Sequence, residues 1–140
     1  EESAAAPLAR KPAQLRGSGE LILVVDDEPG VIMAIETMLQ SRGYRTLSAE
    51  NGAAAIAQFA LHRSDIQLVI SDVMMPVLDG IASVRALRNL EPNLKVIFMT
   101  GWVEPSKQPS IADLKPLAIM NKPFTLEVLL RLLRDSLRPE

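Results

Sequence analysis

The sequence predicts a doubly wound α/β fold, a five-stranded parallel sheet with helices on both faces. Two patterns carry that prediction. Strand-length apolar runs alternate with stretches of helical periodicity from Leu21 onward, and such alternation closes through right-handed crossovers that place helices on both sides of one sheet. The first run, LILVV, is apolar at every position, as a strand covered on both faces requires; a strand with one wet face would alternate. The size agrees: 140 residues, 48% hydrophobic and 23% charged, suit one domain with a single buried core.

Residues 1–20 (EESAAAPLARKPAQLRGSGE) show no period of 2 or 3.6 and read as a flexible linker or tail, which leaves 21–138 for the domain. Leu21 to Val25 forms the first strand and runs into Asp26, Asp27, Glu28 and Pro29. Val31, Ile35, Met38 and Leu39 then recur at helical spacing until Gly43 supplies a stop. Tyr44 to Ala49 alternates as a second strand, Asn51-Gly52 turns, and AAAIAQFAL is an Ala-rich helix with Ile56, Phe59 and Ala60 on one face. Ile66 to Ser71 is the third strand, ending at Asp72. Met75-Pro76 opens a loop that Asp79-Gly80 closes as a turn and helix cap, and Ile81 to Leu90 buries Val84, Leu87 and Leu90. Lys95 to Met99 is the fourth strand, ending at Thr100-Gly101. From Trp102 to Leu114, Pro105 and Pro109 allow only a short or distorted helix. Leu117 to Asn121 is the fifth strand, ending at Lys122-Pro123, and Leu126, Leu129, Leu130 and Leu133 mark the last helix.

Composition excludes several functions. Fifteen Lys+Arg against seventeen Asp+Glu leave a formal charge of −2, which argues against a nucleic-acid partner bound by phosphate neutralisation. Without cysteine there is no disulfide framework, thiolate zinc site or thiol nucleophile. The lack of cysteine fits a reducing compartment, and no apolar run approaches the roughly 20 residues of a membrane span. A cytoplasmic protein without direct membrane contact is expected. Residue 1 is Glu rather than Met, so a fragment or processed chain is expected, and the three residues after Leu137 leave no room for an output domain.

Ligand sites in open α/β sheets lie beyond the carboxyl ends of the strands. That edge should gather Asp26, Asp27, Asp72, Thr100 and Lys122. Two carboxylates about 5 Å apart repel by roughly 3 kcal/mol at an effective dielectric near 20, and Lys122 offsets one charge of three. An all-oxygen donor set of this kind suits Mg²⁺. An Asp carboxylate beside a divalent ion and a Lys can attack phosphorus and form an acyl phosphate, and needs no general base because it is already ionised at pH 7. Asp26 and Asp27 could also cap the next helix, a role compatible with metal binding. His62 reads as a surface residue. Met74 and Met75 beside hard carboxylates do not make a soft-metal site.

The segments VVDDEPG, SDVMMPVLDG, FMTG and NKPF, in that order and spacing, resemble the receiver domain of two-component response regulators over about Leu21 to Leu137. The resemblance implies a flavodoxin-like sheet of strand order 2-1-3-4-5 and a phosphoaspartate switch. In that switch a histidine kinase's phosphohistidine domain, or a histidine phosphotransfer protein, gives its phosphoryl group to Asp72 with Mg²⁺. It also implies that Asp27 ligates the metal directly, Asp26 mostly through water, and Met74 through its backbone carbonyl. Thr100 becomes the switch hydroxyl and Lys122 the phosphoryl-pairing cation, followed by a cis bond to Pro123. Met74 and Trp102 flank the phosphoryl position and are expected to restrict in-line water and lengthen the phosphorylated state. The Pro-containing stretch ending GSGE is similar to the linker before a receiver at the carboxyl end of a hybrid histidine kinase.

Two departures stand out. The family commonly carries an aromatic three residues before the Lys, where this chain has Ile119, and the segment with Pro105, Pro109 and Pro116 lacks the usual Gly-Ala before the fifth strand. A modified switch is therefore expected at a face that often serves output or a weak homodimer. The alternatives are a free-standing single-domain regulator and a pseudo-receiver docking module that is not phosphorylated. An aspartyl-phosphate hydrolase would instead carry Asp-x-Asp, whereas Asp26 and Asp27 are adjacent.

Overall fold

The computed structural model describes residues 16–75 and 78–137. The elements follow in the order β1 (Leu21–Val25), α1 (Pro29–Gln40), β2 (Arg45–Ala49), α2 (Gly52–His62), β3 (Ile66–Asp72), α3 (Gly80–Leu90), β4 (Lys95–Thr100), α4 (Gln108–Asp113), β5 (Ala118–Asn121) and α5 (Leu126–Leu137), with a 3-10 turn at Pro105–Lys107. The sheet order is β2-β1-β3-β4-β5 and every pairing is parallel. The doubly wound prediction holds. Most of the tail, the expected loop start at Pro76 and the expected domain end at residue 138 lie outside the described residues.

The central strands are apolar throughout because both faces are covered. Leu21, Leu23 and Val25 face a core shared with Phe59, Val84, Leu87 and Ile111, on the side of α2, α3 and α4. Ile22 and Val24 face Ile32, Ile35, Leu39, Leu129, Leu130 and Leu133, on the side of α1 and α5. Strand polarity places the ends of β1, β3, β4 and β5 along one edge, with Val25 beside Ser71, Asp72 beside Met99 and Thr100 beside Asn121.

Several boundaries and faces differ from expectation. Tyr44 precedes β2 and is buried, and Leu117 precedes β5 and is exposed. In α1 the fully buried residues are Ile32, Ile35 and Leu39, with Val31 and Met38 at the margin; in α2 they include Ala55 and Phe59, with Ile56 partly buried and Ala60 exposed. Leu90 of α3 is only partly buried. Helices rich in small apolar residues can rotate by one position at little cost, and the facing strand decides the phase. Between β4 and β5 the prolines leave the 3-10 turn and a six-residue α4. Residues 17–20 run along the α1–β2 turn: Gly17 and Gly19 N–H donate to the carbonyls of Arg42 and Gly43, at 2.6 and 2.7 Å.

Candidate functional site

Asp26 directly follows β1, and its N–H donates to the Ala49 carbonyl at 3.2 Å, so sheet pairing still fixes its backbone. Its side chain is fully buried. Oδ1 accepts from the Glu28 N–H at 2.9 Å and Oδ2 accepts from Lys122 Nζ at 2.8 Å. Neither Asp26 nor Asp27 caps α1, whose N-cap is Glu28 with no side-chain capping bond. Asp27 is exposed, and its carboxylate has no hydrogen-bond or ion-pair partner among the described residues.

Asp72 ends β3 and is buried. Its Oδ1 accepts from the Met74 N–H at 3.3 Å and its Oδ2 from Lys122 Nζ at 3.3 Å. The chain beyond it is clamped, because Val73 N–H donates to the Met99 carbonyl and Gly80 N–H to the Val73 carbonyl, at 3.0 and 2.9 Å. Gly80 is required there: a Cβ would sit 2.0 Å from the Asp72 carbonyl oxygen. Asp79 caps α3 as expected, with its carboxylate accepting from the Ala82 N–H at 2.9 Å.

Thr100 ends β4 and is buried, and its Oγ1 has no hydrogen-bond partner among the described residues. A buried hydroxyl without a partner is costly and rare. The Lys122 N–H donates to the Thr100 carbonyl at 2.8 Å, so the Lys enters the site from an anchored backbone; the Lys122–Pro123 bond is cis. Met74 and Trp102 are exposed. Trp102 lines a cavity of about 440 Å³ together with Thr100, Ile111 and Ile119.

Carboxylate oxygens of Asp26, Asp27 and Asp72 all lie within 4.8 Å of one another. Burial raises the pKa of Asp72; the Asp26 charge adds to the rise, while Lys122 and the Met74 N–H oppose it. Burial would depress Lys122, but its hydrogen bond to Asp26 and the charges of Asp72 and Asp26 outweigh that, and its pKa is raised. Three carboxylates against one ammonium leave a net negative pocket whose donors are all oxygen, and this set is consistent with a Mg²⁺ site. The sequence brings Lys122 to the carboxylate edge without saying which oxygen it bonds, here Asp26 across 96 positions, and the Lys107 link to Asp79, 28 positions apart, had no signal there.

Comparison with known proteins places this geometry in context. The response regulator receiver domain model matches residues 22–134. The sensor kinase CckA of Brucella abortus is 31% identical over 140 residues, covering 96% of this chain and 15% of the kinase. Sporulation initiation phosphotransferase F of Bacillus subtilis is 32% identical over 108 residues, covering 77% of this chain and 86% of that protein. Among solved structures, the Vibrio cholerae chemotaxis protein CheY4 superposes with a TM-score of 0.78 at 29% identity, over 85% of this chain and 99% of CheY4. The Thermotoga maritima response regulator TrrA, crystallised in complex with Mg²⁺-BeF, gives 0.73 at 28%, over 84% of this chain and 99% of TrrA. No helix among the described residues is long and apolar enough to cross a membrane.

Proposed function

Because the chain belongs to the response regulator receiver domain family of two-component signalling, we propose that it takes a phosphoryl group from a phosphohistidine onto Asp72 and changes conformation in response. The observation that carries this reading is Lys122 Nζ lying between two buried carboxylates, 2.8 Å from Asp26 and 3.3 Å from Asp72. One ammonium thereby orients the nucleophile and leaves Asp27 open toward solvent.

In this scheme a lone pair on an Asp72 oxygen forms the O–P bond while the P–N bond to the donor imidazole breaks, and the imidazole nitrogen keeps that pair. Burial makes Asp72 a stronger nucleophile, and Lys122 with the Met74 N–H keeps it anionic. Asp26, Asp27, Asp72 and the Met74 carbonyl would hold Mg²⁺, whose charge would stabilise the equatorial phosphoryl oxygens. Thr100 donates its otherwise unpartnered hydroxyl to one of those oxygens and Lys122 pairs with another. Met74 and Trp102 restrict water on the open side. The TrrA complex with Mg²⁺-BeF supports the same ligand class here.

The partner is a phosphohistidine domain of a histidine kinase or a histidine phosphotransfer protein, at a cytoplasmic location. An apolar groove of about 400 Å³ between α1 (Val31, Ala34, Met38) and Lys122–Phe124 supports docking beside the site. The isolated domain catalyses only its own phosphorylation and dephosphorylation and is not otherwise an enzyme. Similarity to CckA favours origin in a hybrid histidine kinase. Similarity to phosphotransferase F, matched over most of its length, favours the second reading, a free-standing single-domain regulator. The test is labelling by acetyl phosphate: it should require Mg²⁺ and vanish in Asp72→Asn. Label persisting in that variant would overturn the assignment, and binding of a kinase by a protein that never labels would establish a docking module instead.

A further inference from the structure

A second ion pair joins the segments that follow β3 and β4. Lys107 Nζ lies 3.3 Å from Asp79 Oδ2, and the two side chains are 33% and 25% exposed. The Asp79 end is rigid. Its other oxygen caps α3, and the adjoining Gly80 is bonded to Val73 and pressed against the Asp72 carbonyl. Asp79 is thereby fixed relative to the phosphoacceptor.

The Lys107 end is different. Arg88 pins the far end of α4 by donating to the Leu94 and Leu114 carbonyls, at 2.9 and 2.5 Å. Ahead of α4, Gly101, Trp102, Glu104, Pro105 and Ser106 are all exposed. Among the described residues, the bond to Asp79 is the one side-chain hydrogen bond or ion pair made by 101–107. Behind this segment lies the cavity walled by Thr100, Trp102 and Ile119, and at its start sits the buried Thr100 hydroxyl with no partner.

We propose that Lys107 is a positioning residue which, through Asp79, holds the segment after Thr100 in the unphosphorylated arrangement and opposes the advance of the Thr100 hydroxyl toward Asp72. The proposal rests on the phosphoacceptor reading and extends it to a residue outside the carboxylate cluster. A phosphoryl oxygen on Asp72 would give the orphan hydroxyl its hydrogen bond. Reaching that oxygen moves the backbone that continues into Gly101 and Trp102, and the cavity leaves the segment free to repack. Val103 also packs against the core, so the ion pair is the polar tie that must yield.

The test uses Lys107→Gln, Asp79→Asn, their combination, and Lys107→Arg as the conservative variant. Asn caps a helix as well as Asp, so Asp79→Asn removes the charge and keeps the cap. Beryllium fluoride with Mg²⁺ is titrated as the phosphoryl mimic, followed by fluorescence of Trp102, the chain's single tryptophan. Hydrogen exchange of the backbone N–H groups of residues 101–104, 106 and 107 is measured in the Mg²⁺-free protein. Each neutralising variant should bind the mimic about two- to fivefold tighter, the effect expected from one half-exposed ion pair, and should exchange faster. The double variant should bind no tighter than either single one, and Lys107→Arg should match the parent. Unchanged or weaker binding in Lys107→Gln, or additive effects in the double variant, would overturn the proposal while leaving the phosphoacceptor reading intact. A parent protein that does not bind the mimic would overturn both.

Discussion

On the β1–β3 side of the carboxyl edge, Asp26 and Asp72 are buried, each accepts two hydrogen bonds, and they share Lys122. On the β4–β5 side, the buried Thr100 hydroxyl has no partner among the described residues, Ile119 and Trp102 are exposed, and α4 has six residues with Ile111 as its single buried one. By contrast α5, on the opposite face, buries Leu129, Leu130 and Leu133 over twelve residues. Under the proposed function, the difference teaches how a switch would be divided. Charges that must meet a phosphoryl group need fixed positions, since electrostatic stabilisation works through preorganisation. The reporting side needs weak packing and an unsatisfied group, so that one new hydrogen bond shifts its equilibrium.

The largest effect that could break this comparison is expected from Lys122→Met. Removing the ammonium leaves Asp26 and Asp72 facing each other without compensation, and breaking such a pair costs on the order of 3 kcal/mol. Denaturant unfolding at pH 7 in a chelator should show this loss, and Mg²⁺ should restore part of it. The sign with pH follows from the raised pKa of Lys122. Its stabilisation is fully present below the ordinary lysine value and is lost as pH rises through the higher folded-state value, so the gap to Lys122→Met should close only in strong alkali. A loss below about 0.5 kcal/mol, in the range of an exposed pair, would mean the carboxylate side is no better fixed than the other.

Asp72→Asn should have a smaller effect of opposite sign. Burial and the neighbouring Asp26 raise the Asp72 pKa, so the folded state binds this proton more tightly than the unfolded chain does, and the ionised carboxylate costs stability near neutrality. The variant should be more stable than the parent in chelator at pH 7, by on the order of 1 kcal/mol. That advantage should fade as pH falls through the folded-state pKa toward the ordinary carboxylate value, where the parent protonates. Adding Mg²⁺ should stabilise the parent more than the variant. An Asn variant less stable than the parent at pH 7 without metal would show that Lys122 overcompensates the cluster.

The sequence made the carboxylate side more legible than the β4–β5 side. The runs LILVV and IQLVIS have one reading because a strand covered on both faces tolerates little else, and with parallel strands the residues that end them share one edge. Asp26, Asp27, Asp72, Thr100 and Lys122 were identifiable on that ground. Pro105 and Pro109 correctly limited α4. What stayed hidden depends on distances between remote residues: the Lys122 bond to Asp26, the Lys107 bond to Asp79, and the absence of any partner for the Thr100 hydroxyl. The buried phase of α1 and α2 was also underdetermined, since Val31 and Ile32, or Ala55 and Ile56, are adjacent residues that are both apolar.

The smallest effect on stability is expected from Trp102→Ala and Met74→Asn. Trp102 is 66% exposed and Met74 39% exposed, so either truncation removes little buried area and should change unfolding free energy by no more than about 0.5 kcal/mol. Their proposed role is to limit in-line water at phosphorylated Asp72. Loss of Trp102 should therefore raise the dephosphorylation rate severalfold, measured by decay of label after the phosphodonor is removed. Met74→Asn should act in the same direction more strongly than a pure truncation, because its amide can hydrogen-bond an incoming water. The two sites differ in one respect: Met74 adjoins the anchored backbone of Asp72, the proposed phosphoacceptor, and Trp102 lies on the exposed segment after Thr100. If shielding by Trp102 depends on where that segment rests, combining Trp102→Ala with Lys107→Gln should give no further acceleration over Trp102→Ala alone. Combining Met74→Asn with Lys107→Gln should give effects that multiply. Equal behaviour of the two combinations would show that the segment's position does not govern the lifetime of the phosphorylated state.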